Sequence, residues 1–172
     1  MDNVIAHIRK KNDLFCIQTL QEHTQGVTVL AQNFANSFGY GELAANIGIL
    51  HDFGKQSKAF QDHICYASGY KNGVDKKADH KFTSATAVEH YEIDPGYKAI
   101  LKYCIAGHHQ GLPNLATLRT KLEEYSNTQL LKPEYPPLLP MAAPKTLTQE
   151  HLHFLVRMLF SCLVDADFLD TE

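Results

Sequence analysis

The stretch "GILHDFGKQSKAF" (residues 48–60) places His51 and Asp52 side by side at the end of a short apolar run, and Lys55 follows three residues later. Two interpretations are open. The polar residues could be ordinary capping groups at a helix end, or they could bind a metal ion, because imidazole and carboxylate are ligands of divalent transition metals. The rest of the chain has to decide between a helix end and a metal site.

Size and composition predict one soluble globular domain. The chain has 172 residues, of which 44% are hydrophobic and 20% charged, and this is enough to bury a substantial core. The net charge of −3 gives no overall basic signature. Binding to nucleic acid would therefore depend on a local basic patch or on bound cations. We expect a single domain over residues 1–172.

Three features predict a cytoplasmic protein that does not contact a membrane. No apolar run approaches the roughly 18 residues needed to span a bilayer. The N-terminus, "MDNVIAHIRKKNDLF", lacks the long apolar core of a signal peptide. Four scattered cysteines without a C-x-x-C pair are expected to be reduced core thiols. They are Cys16, Cys65, Cys104 and Cys162.

The apolar periodicity predicts an all-α fold, a helical bundle of about six main helices. Helical spacing covers residues 19–38, 42–53, 82–92, 97–109, 115–126 and 146–170. No segment alternates convincingly as a strand would. Gly54 is a candidate stop for the second helix, and Thr148 a candidate N-cap for the last.

Two segments between the helices are expected to be irregular. Residues 66–80 are rich in Gly, Lys and Asp and are typical of an exposed loop. Residues 132–144 contain five prolines and predict an extended connection.

Seven histidines and aspartates lie on or next to the predicted helices, and no thiolate cluster competes with them for a metal. They are His23, His51, Asp52, His80, His108, His109 and Asp167. An adjacent His-Asp pair at a helix end can contribute to two metals, the carboxylate bridging them. Two metals about 3.5–4 Å apart can polarise a phosphodiester and generate a hydroxide nucleophile.

Five segments, in chain order, resemble the HD metal-dependent phosphohydrolase superfamily, and within it the HD nuclease of the CRISPR type I interference helicase-nuclease. They are "EHTQGVTVLAQNFA", "GILHDFGKQSKAFQDHI", "DHKFTSATAV", "IAGHHQGLPN" and "LVDADFLDTE". The lysine after HDxG, the phrase "SKAFQ" and the doublet in "GHHQGLP" separate this branch from general HD nucleotide hydrolases. The resemblance extends from about residue 20 to residue 171.

The resemblance implies a role for each site residue. One metal would be held by His23, His51, Asp52 and Asp167. Asp52 would bridge to a second metal, which His80, His108 and His109 would hold. Asp52 and Lys55 would be the catalytic residues, with the Lys55 ammonium beside the scissile phosphate, where it offsets developing charge. The cofactor would be one or two divalent ions: Mn, Ni, Co, Fe or Mg.

The resemblance also implies a substrate and partners. The substrate would be single-stranded DNA, cut endonucleolytically in antiviral defence, with RNA left open. The partners would be a helicase domain or subunit and the CRISPR RNA-guided surveillance complex. No Walker sequence is present, so unwinding would come from elsewhere. The chain would be either an excised nuclease domain or a short stand-alone version.

Several alternatives stay open. The last segment holds both Asp165 and Asp167, which lie about 200° apart on a helix; we choose Asp167, which precedes an aromatic residue as in the family pattern. The enzyme could instead hydrolyse nucleotides or cyclic nucleotides, or the domain could be a metal-stabilised docking module. The basic run "KKADHK" (residues 76–81) is a solvated loop or attracts a DNA backbone. The other histidines are expected to be surface or packing residues. They are His7, His63, His90, His151 and His153.

Overall fold

The fold is a helical bundle preceded by a short β-hairpin. A computed structural model describes residues 4–128, 130–131, 134–142 and 147–171. These residues form seven α-helices and one two-stranded antiparallel sheet. The elements are β1 (Ile5–Lys11), β2 (Leu14–Thr19), α1 (Leu20–Asn36), α2 (Gly41–Leu50), α3 (Lys58–Ser68), α4 (His80–Ala87), α5 (Pro95–Gly107), α6 (Leu115–Tyr125) and α7 (Gln149–Thr171).

The core lies between α1, α2, α5 and α7. Helix α1 packs along both α2 and α7, and α5 contacts α2, α4 and α7. Aliphatic side chains without solvent exposure fill the space between these helices. They include Ile47, Leu50, Leu101, Ile105, Leu159 and Leu163. Burying one such side chain stabilises the fold by about 1.5–3 kcal/mol. The helical class predicted from the sequence is confirmed, and this apolar frame fixes the helix ends that carry the polar residues.

The hairpin corrects the prediction that the chain has no strands. Strands β1 and β2 pair in antiparallel register, and the turn residues Asn12 and Asp13 both have left-handed backbone, with φ of 49° and 63°. Two left-handed residues are what a tight two-residue hairpin requires. Strand β1 could not be predicted from the sequence because charged residues 9–11 interrupt the alternation of apolar and polar residues. The register shift between Ile5 and His7 disrupts this alternation further.

The helix count is also higher than predicted, because α3 was not anticipated. In addition, α2 ends at Leu50 rather than running to Gly54. Asp52 leaves the helical conformation, with φ −109° and ψ 10°, and residues 53–56 form one 3₁₀ turn. Helix α3 occupies the start of the segment expected to be a loop, while residues 71–77 are exposed as predicted.

The proline-rich connection is confirmed where it is described. Residues 134–142 contain no helix or strand, whereas residues 132, 133, 143 and 144 of the predicted connection lie outside the described residues. The segment is held against the bundle by Asn46, whose side chain donates to the Leu139 carbonyl at 3.0 Å and accepts from the Leu139 amide at 2.7 Å. Thr148 accepts from the His151 amide at 3.3 Å, as expected of the N-cap of α7.

The prediction of core thiols is correct for Cys104 and Cys162, which are buried, and wrong for Cys16, which is exposed on β2. Cys65 is half-buried, and all four thiols are free. Among the described helices, none combines the length and the apolar character that crossing a membrane requires.

Candidate metal centre

Helix α1 positions His23 one turn after its start. Thr19 and Glu22 form a reciprocal capping box, in which Thr19 Oγ1 accepts from the Glu22 amide and Glu22 Oε2 accepts from the Thr19 amide. His23 follows on the same face as Leu20 and Val27, and its side chain is fully buried. The periodicity that places Val27 in the core therefore directs the imidazole inward as well.

The end of α2 brings His51 and Asp52 to His23. Gly48 makes this possible, since a Cβ there would lie 2.9 Å from the Thr28 Cα of α1. With the two helices this close, His51 Nε2 lies 3.2 Å from His23 Nε2, and Asp52 Oδ2 lies 3.2 Å from the same nitrogen. The opening stretch is thus both a helix end and part of a polar cluster.

Gly54 brings α4 to the other side of Asp52. A Cβ at Gly54 would lie 2.1 Å from the His80 carbonyl oxygen, so only glycine allows this contact. Asp79 caps α4 by accepting from the Lys81 amide at 3.2 Å, which places His80 at the first position of the helix. The His80 Nε2 atom lies 2.9 Å from Asp52 Oδ1.

The end of α5 supplies the histidine pair. His108 Nε2 lies 3.6 Å from Asp52 Oδ1, and His109 Nε2 lies 3.1 Å from His80 Nε2. His108 is buried, whereas His109 has an exposed edge. The doublet therefore contributes one inner and one outer imidazole to the same side of Asp52.

The last turns of α7 contribute Asp167. Its Oδ1 lies 3.2 Å from His23 Nε2 and 3.9 Å from His51 Nε2. Asp165 is exposed. The structure therefore brings the chosen carboxylate to the cluster and leaves the other candidate facing solvent.

Three histidines are oriented by partners behind them. His51 Nδ1 donates to the Gly48 carbonyl at 2.7 Å, and His108 Nδ1 donates to the Ile105 carbonyl at 2.6 Å. His23 Nδ1 lies 2.7 Å from Asp170 Oδ2. Because a carbonyl or carboxylate oxygen accepts, a hydrogen sits on Nδ1 of each ring. When the ring is neutral, its Nε2 lone pair faces the cluster, which is the arrangement of a metal-binding imidazole.

Asp52 at the centre is buried, with 1% of its surface exposed. The Asp52 oxygens lie at ion-pair distance from basic side chains such as His80. In the described part of the chain, however, neither oxygen accepts a well-directed hydrogen bond, and the buried His108 Nε2 atom also has no hydrogen-bond partner there. A buried polar group without a partner costs about 1–3 kcal/mol. A divalent cation between these atoms would satisfy all of them, so the donor set fits a metal ion.

The carboxylates are held as anions. Burial alone would raise the pKa of Asp52, but Lys55, His51 and His80 hold it well below its usual range. Burial likewise opposes ionisation of Asp167, and the hydrogen bond from His23 outweighs it, so the pKa falls to about 2. Both groups therefore present negative charge to a cation over the whole physiological range.

The imidazoles divide into two kinds. Burial lowers the pKa of His80 despite Asp52, and partial burial together with His108 and His80 lowers the pKa of His109. Burial also disfavours the charged form of His23, but Asp167, Asp52 and Asp170 outweigh it and raise its pKa to about 9. In the metal-free protein His23 thus holds a proton that a bound metal would displace.

Lys55 lies inside the cluster and not on the surface. Its side chain is 3% exposed, and its Nζ lies 2.6 Å from Asp52 Oδ2. The 3₁₀ turn after Asp52 brings the ammonium back over the carboxylate. Lys81, by contrast, is buried against Asp79 at 2.8 Å and Gln110 at 3.1 Å, so it does not belong to the exposed part of the basic run.

Two residues of the cluster were not among the predicted ligands. His7 was expected to be a surface or packing residue, but its Nε2 lies 3.4 Å from His23 Nε2 and 3.2 Å from Lys55 Nζ. Asp170, which orients His23, also accepts from the Gln18 side chain at 2.8 Å. Its i+3 spacing from Asp167 on α7 is a signal that could have found it, whereas His7 lies on the strand that was missed.

Among the residues that the structure describes, candidate ligand atoms form three groups, in each of which all atoms lie within 4.8 Å of one another. The first group is Asp52, His80, His108 and His109, the second is His23, His51 and Asp167, and the third is His7, His23 and Asp52. All seven residues proposed from the sequence are in these groups. Asp52 is central to them, since Oδ1 faces His80 and His108 while Oδ2 faces His23 and His51.

Comparison with known proteins assigns the family. The model of the HD domain family matches residues 20–139, more than half of the chain, and the chain belongs to this family. The matched span contains six of the seven residues that the sequence proposes as ligands, all except Asp167. Membership implies metal-dependent phosphohydrolase activity, and the His/Asp cluster fits the divalent metals that HD domains bind. No curated protein matches the chain.

Proposed function

We propose that the protein is a metal-dependent nuclease that hydrolyses phosphodiester bonds of single-stranded DNA in CRISPR interference. The observation that carries the proposal is the arrangement around Asp52. The two Asp52 oxygens face two different sets of imidazoles, and Lys55 Nζ lies 2.6 Å from Asp52 Oδ2. A buried carboxylate flanked in this way suits a bridge between two cations, with His23, His51 and Asp167 on one side and His80, His108 and His109 on the other.

The metal ions would lower the pKa of an attacking water and polarise the phosphoryl oxygens. The residues of the chain would do the rest. Lys55 holds an ammonium group at the centre, where it offsets the charge that develops on phosphoryl oxygens in the transition state. Asp170 and the carbonyls of Gly48 and Ile105 fix the imidazole rings, so that little reorganisation is needed when the substrate binds.

The burial of the centre favours a single strand as the substrate. Asp52 and Lys55 are 1% and 3% exposed, so a scissile phosphate has to approach groups that neighbouring side chains cover. A flexible single strand can adapt its backbone to such a covered centre more readily than a stiff duplex, whose persistence length is about 150 base pairs. Lys71, Lys76 and Lys77 lie exposed on the segment before His80 and could contact a DNA backbone on the way in.

The assignment to CRISPR interference follows from the sequence resemblance. Lys55 after the HDxG segment and the His108-His109 doublet are the features that favour a nuclease over other HD phosphohydrolases. A helicase domain or subunit and an RNA-guided surveillance complex would deliver the single strand. Family membership itself is equally compatible with hydrolysis of nucleotides or cyclic nucleotides, so the experiment includes both substrate classes.

The test is incubation of circular single-stranded DNA with the chelator-treated protein and each of Mn²⁺, Ni²⁺, Co²⁺, Fe²⁺ and Mg²⁺. Linearisation and degradation that EDTA abolishes are expected with at least one ion. Asp52→Asn should be inactive, and Asp165→Asn, which changes an exposed aspartate on the same helix as Asp167, should be fully active. An intact circle with every metal, together with phosphate release from nucleotides or opening of cyclic nucleotides, would contradict the nuclease assignment and favour the alternative.

A further inference from the structure

The N-terminal hairpin directs His7 toward the metal centre. Strand β1 has a register shift between Ile5 and His7, and such bulges re-aim a side chain. Successive residues of a regular strand face opposite sides. Here the Ala6 backbone carbonyl oxygen lies 3.3 Å from Lys55 Nζ, and His7 Nε2 lies 3.2 Å from the same atom. Strand β1 therefore brings the His7 ring to the ammonium group that faces Asp52.

The spacing between His7 and His23 suits two ligands of one ion. Two nitrogens that each lie about 2.1 Å from an ion at the tetrahedral angle are about 3.4 Å apart. His7 Nε2 lies 3.4 Å from His23 Nε2. The distances from the same His23 nitrogen to His51 Nε2 and to Asp167 Oδ1, both proposed ligands, are 3.2 Å. By its distance to His23, His7 is thus placed as a ligand would be, and the ligand atoms of His7, His23 and Asp52 all lie within 4.8 Å of one another.

Several hydrogen bonds hold the hairpin in this place. The Gln61 side chain of α3 accepts from the Ile5 amide at 3.0 Å and donates to the Ile5 carbonyl at 2.9 Å. At the other edge, Gln18 of β2 donates to Asp170 Oδ2 at 2.8 Å. Because Asp170 also orients His23, the hairpin and a proposed ligand share one anchoring carboxylate.

We propose that His7 is a further ligand of the metal ion bound at His23, so that the N-terminal hairpin completes the metal centre. This inference rests on the proposed metal-dependent function. The competing interpretation is that His7 only accepts a hydrogen bond from the Lys55 ammonium and positions it. The two interpretations differ in what the loss of His7 does to metal binding itself.

The experiment titrates Co²⁺ into the chelator-treated full chain and follows affinity by calorimetry and the ring N–H signals of cobalt-bound histidines by proton NMR. Three variants are compared with the unchanged protein. In His7→Phe a ring of similar size replaces the ligand, in Lys55→Met the ammonium is removed, and in His151→Phe an exposed histidine is changed in the same way as a control.

A ligand role predicts that His7→Phe loses one paramagnetically shifted ring N–H signal and weakens one Co²⁺ affinity by at least about tenfold. Lys55→Met should keep every signal and bind Co²⁺ no more weakly, because a neighbouring positive charge is removed. His151→Phe should behave as the unchanged protein. All signals retained in His7→Phe, or equal effects of His7→Phe and Lys55→Met on affinity, would overturn the inference.

Circular dichroism of the metal-free variants checks that the hairpin change leaves the helical fold intact. If His7→Phe fails to fold, His7→Asn is put through the same titration, since the smaller amide makes no overpacking. The outcome for His7 is separate from the outcome for the proposed function. Absence of Co²⁺ binding by the unchanged protein would overturn both, whereas metal-dependent cleavage with all signals retained in His7→Phe would overturn the role of His7 alone.

Discussion

The two sides of Asp52 differ in charge. We call His23, His51 and Asp167 the carboxylate side, and His80, His108 and His109 the imidazole side. On the carboxylate side, His23 lies between two further carboxylates: Asp167 Oδ1 is 3.2 Å from its Nε2, and Asp170 Oδ2 is 2.7 Å from its Nδ1. On the imidazole side, Asp52 supplies the carboxylate oxygen, which lies nearest to His80. The histidine among the acids has its pKa raised to about 9, and the pKa of His80 is lowered.

This difference in charge means that one buried carboxylate, Asp52, would contribute to two metal positions with unlike surroundings. The carboxylate side attracts a cation more strongly but has to release a proton from His23 when a metal binds. On the imidazole side the pKa values of His80 and His109 are lowered, so these two rings are neutral and ready to bind at neutral pH. Variants that remove a ligand from one side or from both, and titrations with pH, test this contrast.

Asp52→Asn should have the largest effect, because Asp52 belongs to both sides. A metal centre supplies several kcal/mol of transition-state stabilisation, so its loss should lower the cleavage rate by at least about a thousandfold. Metal binding measured by calorimetry should weaken at both positions together. Retention of one unchanged binding event would show that Asp52 does not bridge the two sides.

Asp167→Asn and His109→Ala should each affect one side. Removal of one ligand should weaken metal binding at its own position by at least about 10–100-fold, because loss of a group that only orients a ligand already has an effect of this size. Binding at the other position should be largely unchanged. Calorimetric titration with Mn²⁺ resolves the two events. Asp165→Asn serves as the matched control for the aspartate. If both variants weakened the same event, the division into two sides would be wrong.

The pH dependence of metal binding should also separate the two sides. The pKa of His23 rises from an unperturbed value of about 6.5 to about 9 in the fold. Affinity on the carboxylate side should therefore increase between about pH 6.5 and 9 as the proton is lost, while affinity on the imidazole side should be nearly constant there. Calorimetry in buffers with different ionisation enthalpies counts the released protons. No proton release at pH 7.5 would contradict the prediction.

The same shift predicts how the metal-free fold responds to pH. Because the folded state binds this proton more tightly than the unfolded chain, the stabilisation is fully present below about pH 6.5 and is lost as pH rises through about 9. The melting temperature of the metal-free protein should fall over that window, and saturation with metal should reverse the fall. A metal-free melting temperature that rises over the same range would contradict this assignment for His23.

Asp170→Asn should have the smallest of these effects, because Asp170 acts through His23 and does not face the centre. The amide can still accept from His23 Nδ1, so the ring stays in place, but one negative charge is lost. We expect the pKa of His23 to fall and the metal affinity of the carboxylate side to weaken by about tenfold. NMR titration of the His23 ring measures the first effect. An unchanged His23 titration would show that Asp170 has no electrostatic role.

The seven candidate ligands could be proposed from the sequence because each lies on or next to a predicted helix. His51 and Asp52 follow a buried apolar run, and His108 ends another. The sequence predicts Gly54 only as a helix stop, whereas in the structure it lets α4 approach Asp52. The helical class followed from the same periodicity. These signals are local, since a helix makes its own hydrogen bonds and shows its buried face every three to four residues.

His7 could not be predicted, for a physical reason. Its strand is stabilised by a partner strand and by Gln61, which is 56 residues away from Ile5 in sequence. A bulged strand with charged neighbours shows neither clean alternation nor helical spacing. The contribution of the N-terminal hairpin to the centre was therefore the part that only the structure could supply.

The most direct test of a two-metal centre around Asp52 is anomalous X-ray diffraction from crystals of the protein loaded with Mn²⁺. Two anomalous peaks about 3.5–4 Å apart are expected, one on each side of the Asp52 carboxylate, with the first next to His23 and the second next to His80. A single peak, or peaks that lie away from Asp52, would contradict it.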